Sequence, residues 1–232
     1  MTKKIMTAFI FSLILALNLY SQKKLDTQAH VDPKDRQIIQ LKLNPQSLQR
    51  SILEHAIIDY TNKEREKHHL HPCTFSKHLR SVARLHSKEM DSLQYFSHIS
   101  PVQKNRELLQ RIENAHITMV NKQVGENIGV DFYLAIATVP FYVKNKKGQK
   151  IYIDFKTKAE IPMQTYLEFA RDMVTKWMAS PGHKKNILTP EYTEIGIGVA
   201  SGVFEGMDAI YVTQLFIGPL SVQKESFHNM NH

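Results

Sequence analysis

Cysteine is nearly absent from this chain, since Cys73 is the single one in 232 residues. One cysteine cannot form an internal disulfide, so the hydrophobic core alone must hold the fold together. A hydrophobic content of 42% is enough for one domain with a full-sized core. We interpret Cys73 as a small, partly buried hydrophobe. A catalytic thiol is the weaker alternative, because no neighbouring residue marks Cys73 as activated.

The chain also lacks runs of lysine and arginine interleaved with aromatic residues. Its net charge is +8, and leaving out residues 1–21, which carry Lys3 and Lys4 and no acid, lowers it by two to +6. A diffuse positive surplus favours acidic surfaces, such as anionic lipid head groups or acidic wall polymers. Without a concentrated basic and aromatic patch, the sequence predicts no nucleic-acid partner.

Two common hydrolase signatures are missing from the sequence. It contains no His-Glu-x-x-His zinc motif and no Gly-x-Ser-x-Gly elbow for a serine nucleophile. It also shows no internal repeat and no low-complexity segment. Neither motif therefore supports a hydrolase, and a candidate functional site must be sought among residues that are separated in the sequence.

The start of the chain carries a targeting signal. Residues 1–21 combine two lysines with an apolar stretch shorter than the ~20 residues that cross a bilayer comfortably. We interpret them as a cleaved signal peptide, with an uncleaved N-terminal anchor as the alternative. We therefore expect a secreted protein, or one in the periplasm or cell envelope. The remaining chain divides into a polar linker at 22–43, a domain at 44–219 and a C-terminal tail at 220–232.

Hydrophobic periodicity predicts a mixed helix and strand order in the domain. Spacings of three and four, with Asn44-Pro45 as a helix start, predict helices over residues 44–67, 76–93, 105–113 and 163–179. Runs of β-branched and aromatic residues predict strands at 124–130, 194–200 and 209–217 and a basic hairpin at 139–155. We expect the strands at 194–200 and 209–217 to form an antiparallel pair at the centre of the sheet.

Three residues stand where a reactive site is expected. His98 follows two aromatic residues and precedes a chain reversal, and Glu126 lies inside a short apolar strand where a carboxylate needs a partner. His183 follows the Ser-Pro-Gly break that ends the helix of Trp177, which we interpret as a core anchor. Two imidazoles and one carboxylate suit a divalent transition metal, or proton transfer oriented by the carboxylate.

Other histidines compete for these roles. His86 lies on an apolar helix stripe, and we interpret it as a hydrogen-bonded core residue. His68, His69 and His71 cluster at a helix end and could bind a metal. However, Pro72 ends the helix there, so a solvated turn is favoured.

At these residues the sequence resembles the CAP superfamily of cysteine-rich secretory, antigen 5 and pathogenesis-related proteins, in particular its short bacterial members with an SCP domain. The matching pieces occur in family order and cover roughly residues 48–218. They are Ala83-Arg84-Leu85-His86-Ser87, Phe96-Ser97-His98, Gly125-Glu126-Asn127-Ile128, Trp177 through Leu188, Ile195 through Val199, and Tyr211 through Phe216.

The resemblance implies an α+β fold, a three-layer α-β-α sandwich with a central antiparallel sheet. It also implies one open cleft lined by His98, Glu126, Asn127, Ser180 and His183, in which His98 and His183 can hold zinc or a similar divalent ion. Many such proteins carry a second glutamate where Ser180 stands here, which weakens any acid–base scheme. The 139–155 hairpin resembles an insertion, and we expect it near the cleft rim.

Three functions remain open at this point. The favoured one is a secreted binding module for a small apolar ligand, a membrane surface or a cell-envelope component. The alternative is a metal-dependent hydrolase in which Glu126 acts as the base. In the third, the trio of His98, Glu126 and His183 is purely structural. The missing second carboxylate makes us favour binding over catalysis.

Overall fold

The computed structural model describes residues 38–135, 139–146 and 148–220. The predicted signal peptide, most of the predicted linker and residues 221–232 lie outside the described residues. Within the described ranges, none of the helices has both the length and the hydropathy needed to cross a membrane.

The domain has five α-helices, one short 3₁₀ helix and six strands in its described part. The helices are α1 Arg50–Lys67, α2 Lys77–Ser92, α3 Leu108–Asn114, α4 Tyr166–Ala179 and α5 Pro181–Ile187, with the 3₁₀ turn at Gln103–Asn105. The strands are β1 Thr74–Phe75, β2 Lys122–Phe132, β3 Phe141–Lys146, β4 Gln149–Asp154, β5 Glu194–Phe204 and β6 Met207–Pro219.

The main sheet has the order β1-β5-β6-β2. Its β5–β6 and β6–β2 pairs are antiparallel, and β5 and β6 occupy the centre, which confirms the prediction. The two-residue β1 adds a parallel edge beside Glu194 and Ile195, so the sheet is mixed. β2 forms the opposite edge, where Glu126 lies across from Leu215.

Helices cover both faces of this sheet, as the three-layer expectation requires. α2 and α3 lie on one face, and α1, α4 and α5 lie on the other. α2 approaches β5 closely because the strand carries glycine at two facing positions. A Cβ at Gly196 would lie 2.4 Å from the Arg80 nitrogen, and one at Gly198 would lie 2.0 Å from the Arg84 nitrogen.

The beginning of the domain differs from the prediction. The first helix starts at Arg50, because Asn44 turns the chain instead of capping a helix, its Oδ1 accepting from the Gln46 amide at 2.9 Å. The segment before it is also packed, since Ile39 and Leu43 are buried. The Leu43 amide donates to the Gln164 carbonyl just ahead of α4, and the Ile39 carbonyl accepts from the Leu167 amide in its first turn. The packed domain therefore begins before Asn44.

The predicted basic hairpin exists as a separate two-stranded sheet, but the expectation that it flanks the cleft is wrong. β3 and β4 pair over Phe141–Lys146 and Gln149–Asp154. The Tyr152 hydroxyl donates to Asp208 at 3.0 Å, and Asp208 bonds the strand end at Tyr133. Seven residues separate Tyr133 from Glu126 along the chain, which is roughly 20 Å of strand.

The predicted break after Trp177 is a helix boundary. Ser180 lies between α4 and α5 with an extended backbone, and Pro181 is the first residue of α5. Proline at this position fits a helix start, because its missing N–H would have no helical partner there. His183 therefore lies in the first turn of a short helix and not in an open loop.

Candidate functional site

Glu126 is the buried centre of the site. Its side chain is only 4% exposed, and both carboxylate oxygens are engaged. Oε1 lies 2.9 Å from His98 Nδ1, and Oε2 accepts from Arg111 Nη2 at 2.6 Å. A buried carboxylate is tolerated only with such partners. Glu126 thus joins one imidazole and one guanidinium at the edge strand.

Arg111 was not identified from the sequence, yet it organises the site. Its side chain is fully buried, and Nη1 donates to the carbonyls of His98, Asn105 and Arg106 at 3.0–3.2 Å. The same guanidinium therefore holds the loop of His98 against the strand of Glu126. The available signal was indirect: Arg111 precedes the inward Ile112 in a predicted helix, and Glu126 required a cation.

The electrostatics keep Glu126 ionised. Burial alone would raise the pKa of this carboxyl, but the hydrogen bond with His98 and the charge of Arg111 outweigh burial, so the pKa is lowered. A carboxylate with a lowered pKa and two occupied oxygens is a poor general base.

His98 is held by its own loop and by Glu126. The Ser97 hydroxyl accepts from the Ile99 amide at 3.1 Å, which fixes the bend that carries His98. The His98 ring is half exposed, and Nδ1 is occupied by Glu126. A carboxylate on Nδ1 fixes ring orientation and leaves Nε2 as the available ligand atom.

His183 lies in α5, which is bonded to β2 beside Glu126. The Asn127 amide donates to the His183 carbonyl at 3.2 Å, while Asn186 donates to the Glu126 carbonyl at 3.0 Å. These bonds attach α5 to the edge strand. Partial burial lowers the pKa of His183, and the charge of His98 lowers it further.

Asn127 and Ser180 both bond the backbone of the helix that carries His183. Asn127 is fully buried, and its amide also bonds Gln214 and Asn186 at 2.8 Å each. Ser180 is half-buried, and its carbonyl accepts from the Lys184 amide in α5. Trp177 is a buried anchor, as the sequence predicted, and its indole donates to the Ile128 carbonyl at 3.0 Å.

The other histidines and the cysteine considered in the sequence analysis do not contribute to this site. His86 is fully buried beside the Tyr95 hydroxyl, and burial lowers its pKa to about 4, so it is a neutral core residue. Burial raises the pKa of Cys73 to about 11, which argues against a reactive thiol. His68, His69 and His71 are exposed at a turn.

The donor set that the described residues offer to a transition metal is small. In the part of the chain that the structure describes, no group of three His, Cys, Asp or Glu side chains is arranged to hold an ion. Glu126 is committed to Arg111 and His98, so His98 and His183 are the available protein ligands. Two imidazoles suit zinc or a similar ion whose remaining positions are filled by water or by a bound ligand.

Comparison with known proteins agrees with this geometry. Residues 58–216 match the model of the cysteine-rich secretory protein family, CAP. An uncharacterized Bacillus subtilis protein, YkwD, is 31% identical over 169 residues, covering 72% of this chain and 48% of the relative. The uncharacterized B. subtilis membrane protein YlbC is 30% identical over 164 residues, covering 71% and 34%.

One solved structure is similar to part of this chain. It is an extracellular protein containing an SCP domain from Bacillus anthracis, with 26% identity and a TM-score of 0.49, covering 76% of this chain and 44% of that one. The chain spans about half of YkwD and about a third of YlbC. With the family model matching over most of its length, the chain belongs to the cysteine-rich secretory protein (CAP) family.

Proposed function

We propose that this protein is an exported binding module whose cleft holds a divalent transition-metal ion between His98 and His183. One observation carries the proposal: both oxygens of Glu126 are occupied, by His98 Nδ1 and by Arg111. That arrangement fixes one imidazole and gives each carboxylate oxygen a protein partner already. Export rests on the basic and apolar pattern of residues 1–21.

The chain's own residues divide the work of binding. His98 and His183 supply nitrogen ligands, and a bound zinc ion would add Lewis acidity and open coordination positions there. Glu126 fixes the ring of His98, while Arg111 keeps Glu126 charged. Asn127 and Asn186 hold the helix that carries His183. The ligand we propose is a lipid-like or cell-envelope molecule that completes the coordination.

The metal-dependent hydrolase is less well supported by the same geometry. It needs Glu126 as a base, but the lowered pKa of that carboxyl weakens it as a proton acceptor. Ser180, at the position where a second carboxylate was sought, offers only a hydroxyl. A hydrolase would have to find its base elsewhere.

Zinc titration by calorimetry tests the proposal. We expect one ion per chain in the wild type, and a loss of affinity of at least tenfold in His98→Ala and in His183→Ala. Glu126→Gln should weaken binding by about 10- to 100-fold, because the partner that orients a metal-bound histidine contributes that much. His78→Ala, at an exposed position in α2, is the matched control.

The outcomes separate the three functions. Heats that do not change in either cleft variant would refute the metal site. Wild-type protein without any zinc heat would support the purely structural role of the trio. Turnover of esters or peptides by the zinc-loaded protein, lost in Glu126→Gln, would establish the hydrolase.

A further inference from the structure

The inserted hairpin has two different faces. β3 and β4 pair residue by residue, and side chains alternate between the faces of a strand. Phe141 and Tyr152 belong to the inner face, where their rings meet edge to face at 5.5 Å. They pack with Leu134 and Ile161 in a small hydrophobic cluster. The Tyr152 bond to Asp208 attaches this face to the main sheet. The opposite face, which we call the outer face, contains the buried Ile153 and otherwise points away from that sheet.

The outer face carries a compact patch of two aromatic rings and two lysines. The hairpin patch consists of Tyr142, Lys144, Phe155 and Lys158. Lys144 Nζ lies 5.5 Å from the centre of the Tyr142 ring, and Lys158 Nζ lies 5.7 Å from the same ring. Lys158 also lies 4.2 Å from the centre of the Phe155 ring. The Phe155 side chain is 61% exposed, which is unusual for a large aromatic residue.

Two acidic residues near the patch offset part of its positive charge. Asp154 accepts from the backbone amides of Lys156 and Thr157 at 2.7 Å, which fixes its charged carboxylate in its own turn. Glu160 is the other nearby acid, and it pairs directly with Ile153. Four exposed lysines in and just after the hairpin outnumber these two acids: Lys144, Lys146, Lys156 and Lys158.

We propose that the hairpin patch docks on the head-group region of an anionic phospholipid bilayer, with the Phe155 ring inserted at the interface. The argument is chemical complementarity. Lysines near an anionic membrane gain Coulomb attraction, and their aliphatic stems lie along apolar surface while the ammonium groups stay in water. An exposed aromatic ring between such lysines matches the boundary between head groups and acyl chains.

The commitment to a bilayer rests on Phe155. A soluble polyanion such as a wall polymer would engage the lysines equally well, but it offers no apolar layer for the ring. The proposal does not rest on the metal cleft, since the hairpin joins the sheet at the far end of β2 from Glu126. Accordingly, His98→Ala should bind vesicles like the wild type.

Vesicle partitioning tests the charge requirement. Vesicles of phosphatidylcholine with phosphatidylglycerol should bind the protein more tightly than phosphatidylcholine alone, and added salt should weaken this binding. Lys144→Gln with Lys158→Gln should lower partitioning roughly 25-fold, about fivefold for each lysine. Phe155→Ser should lower it roughly tenfold or more. The control for the lysine pair is the double variant Lys77→Gln with Lys104→Gln, which removes the same charge at exposed positions. The control for Phe155→Ser is Leu109→Ser, because Leu109 is similarly exposed.

Fluorescence tests insertion directly, because the single native tryptophan, Trp177, is buried. In the Phe155→Trp variant, phospholipids brominated near the top of the acyl chains should quench the new emission. In Leu109→Trp they should not. This readout is specific to the hairpin even if residues 1–21 also touch the vesicles. Binding without quenching at position 155, or equal losses in patch and control variants, would overturn the proposal. Salt-sensitive binding to soluble polyphosphate without lipid preference would do the same.

Discussion

At the residue scale, the site depends on the ion pair between Glu126 and Arg111, which could not be predicted from the sequence. Glu126 was recognisable because a carboxylate in an apolar strand is costly, and His98 because it precedes a reversal. Their common partner Arg111 is joined to them only by tertiary contacts, 13 and 15 residues away along the chain. Arg65 and Arg111 are both fully buried, and no local pattern shows which of the two is the partner of Glu126.

Removing Arg111 should destabilise the fold more than removing an exposed arginine. Arg111→Met leaves the Glu126 carboxylate buried without its cation, which typically costs about 3 kcal/mol or more. Arg171→Met is the control, because its pair with Asp172 is exposed and is worth at most about 1 kcal/mol. Urea denaturation measures both. Adding Glu126→Gln to Arg111→Met should restore part of the stability, and equal losses in the two single variants would contradict this account.

His86 should make the stability depend on pH. Burial lowers the pKa of His86 to about 4 in the folded state, while the unfolded value is near 6.5. Between these values the unfolded chain binds more protons, so the free energy of unfolding falls as the pH drops from 6.5 towards 4. The loss from this residue is about 3 kcal/mol. Denaturation at several pH values should show a flatter profile in His86→Gln, and identical slopes in both proteins would refute the assignment.

At the element scale, short segments were the hardest to predict. α5 has only seven residues, so its periodicity could not be seen, although Ser180-Pro181 carries the cap and first-residue signal of a helix. Asn44-Pro45 carries a similar signal but forms a turn. The preceding residue, Leu43, is bonded to Gln164, and the Ser47 amide closes the turn on the Asn44 carbonyl. The long strands and the apolar face of α2 were predicted correctly, because many positions in each follow the repeat of a strand or of a helix.

The packing of α2 on β5 yields a matched glycine test. Gly198→Ala would place its Cβ 2.0 Å from the Arg84 backbone nitrogen, so a helix or a strand must move. We expect a loss of about 3 kcal/mol or more in the free energy of unfolding. Gly182→Ala has open space around it in α5 and should be neutral or stabilising by up to about 1 kcal/mol. Thermal melting distinguishes them, and a tolerated Gly198→Ala would show that the contact can relax.

At the scale of the whole molecule, the absence of disulfides makes Cys73 a reporter of unfolding. It is 4% exposed, its thiol donates to the Tyr192 carbonyl at 3.3 Å, and its pKa is raised to about 11. A thiol reagent should therefore label the native protein slowly and the urea-unfolded protein at once. A reducing agent should leave the melting temperature unchanged. Rapid labelling without denaturant would show that this part of the core opens locally.

The layered architecture was accessible from the sequence because ordered motifs and periodicity agreed over most of the domain. What could not be predicted was relative placement: the hairpin was expected beside the cleft and instead meets Asp208 at the other end of β2. Sequence order placed it between two cleft segments, but an 11-residue strand carries the chain far from Glu126 before the hairpin begins.

The central claim is that His98 and His183 bind one metal ion while Glu126 stays with Arg111. Anomalous diffraction from crystals grown with zinc tests it most directly. The account predicts one peak at bonding distance, about 2.0–2.1 Å, from a ring nitrogen of each histidine, with Glu126 still bonded to His98 Nδ1 and Arg111. A peak ligated by Glu126 itself, a peak at His68, His69 and His71 alone, or no peak would contradict it.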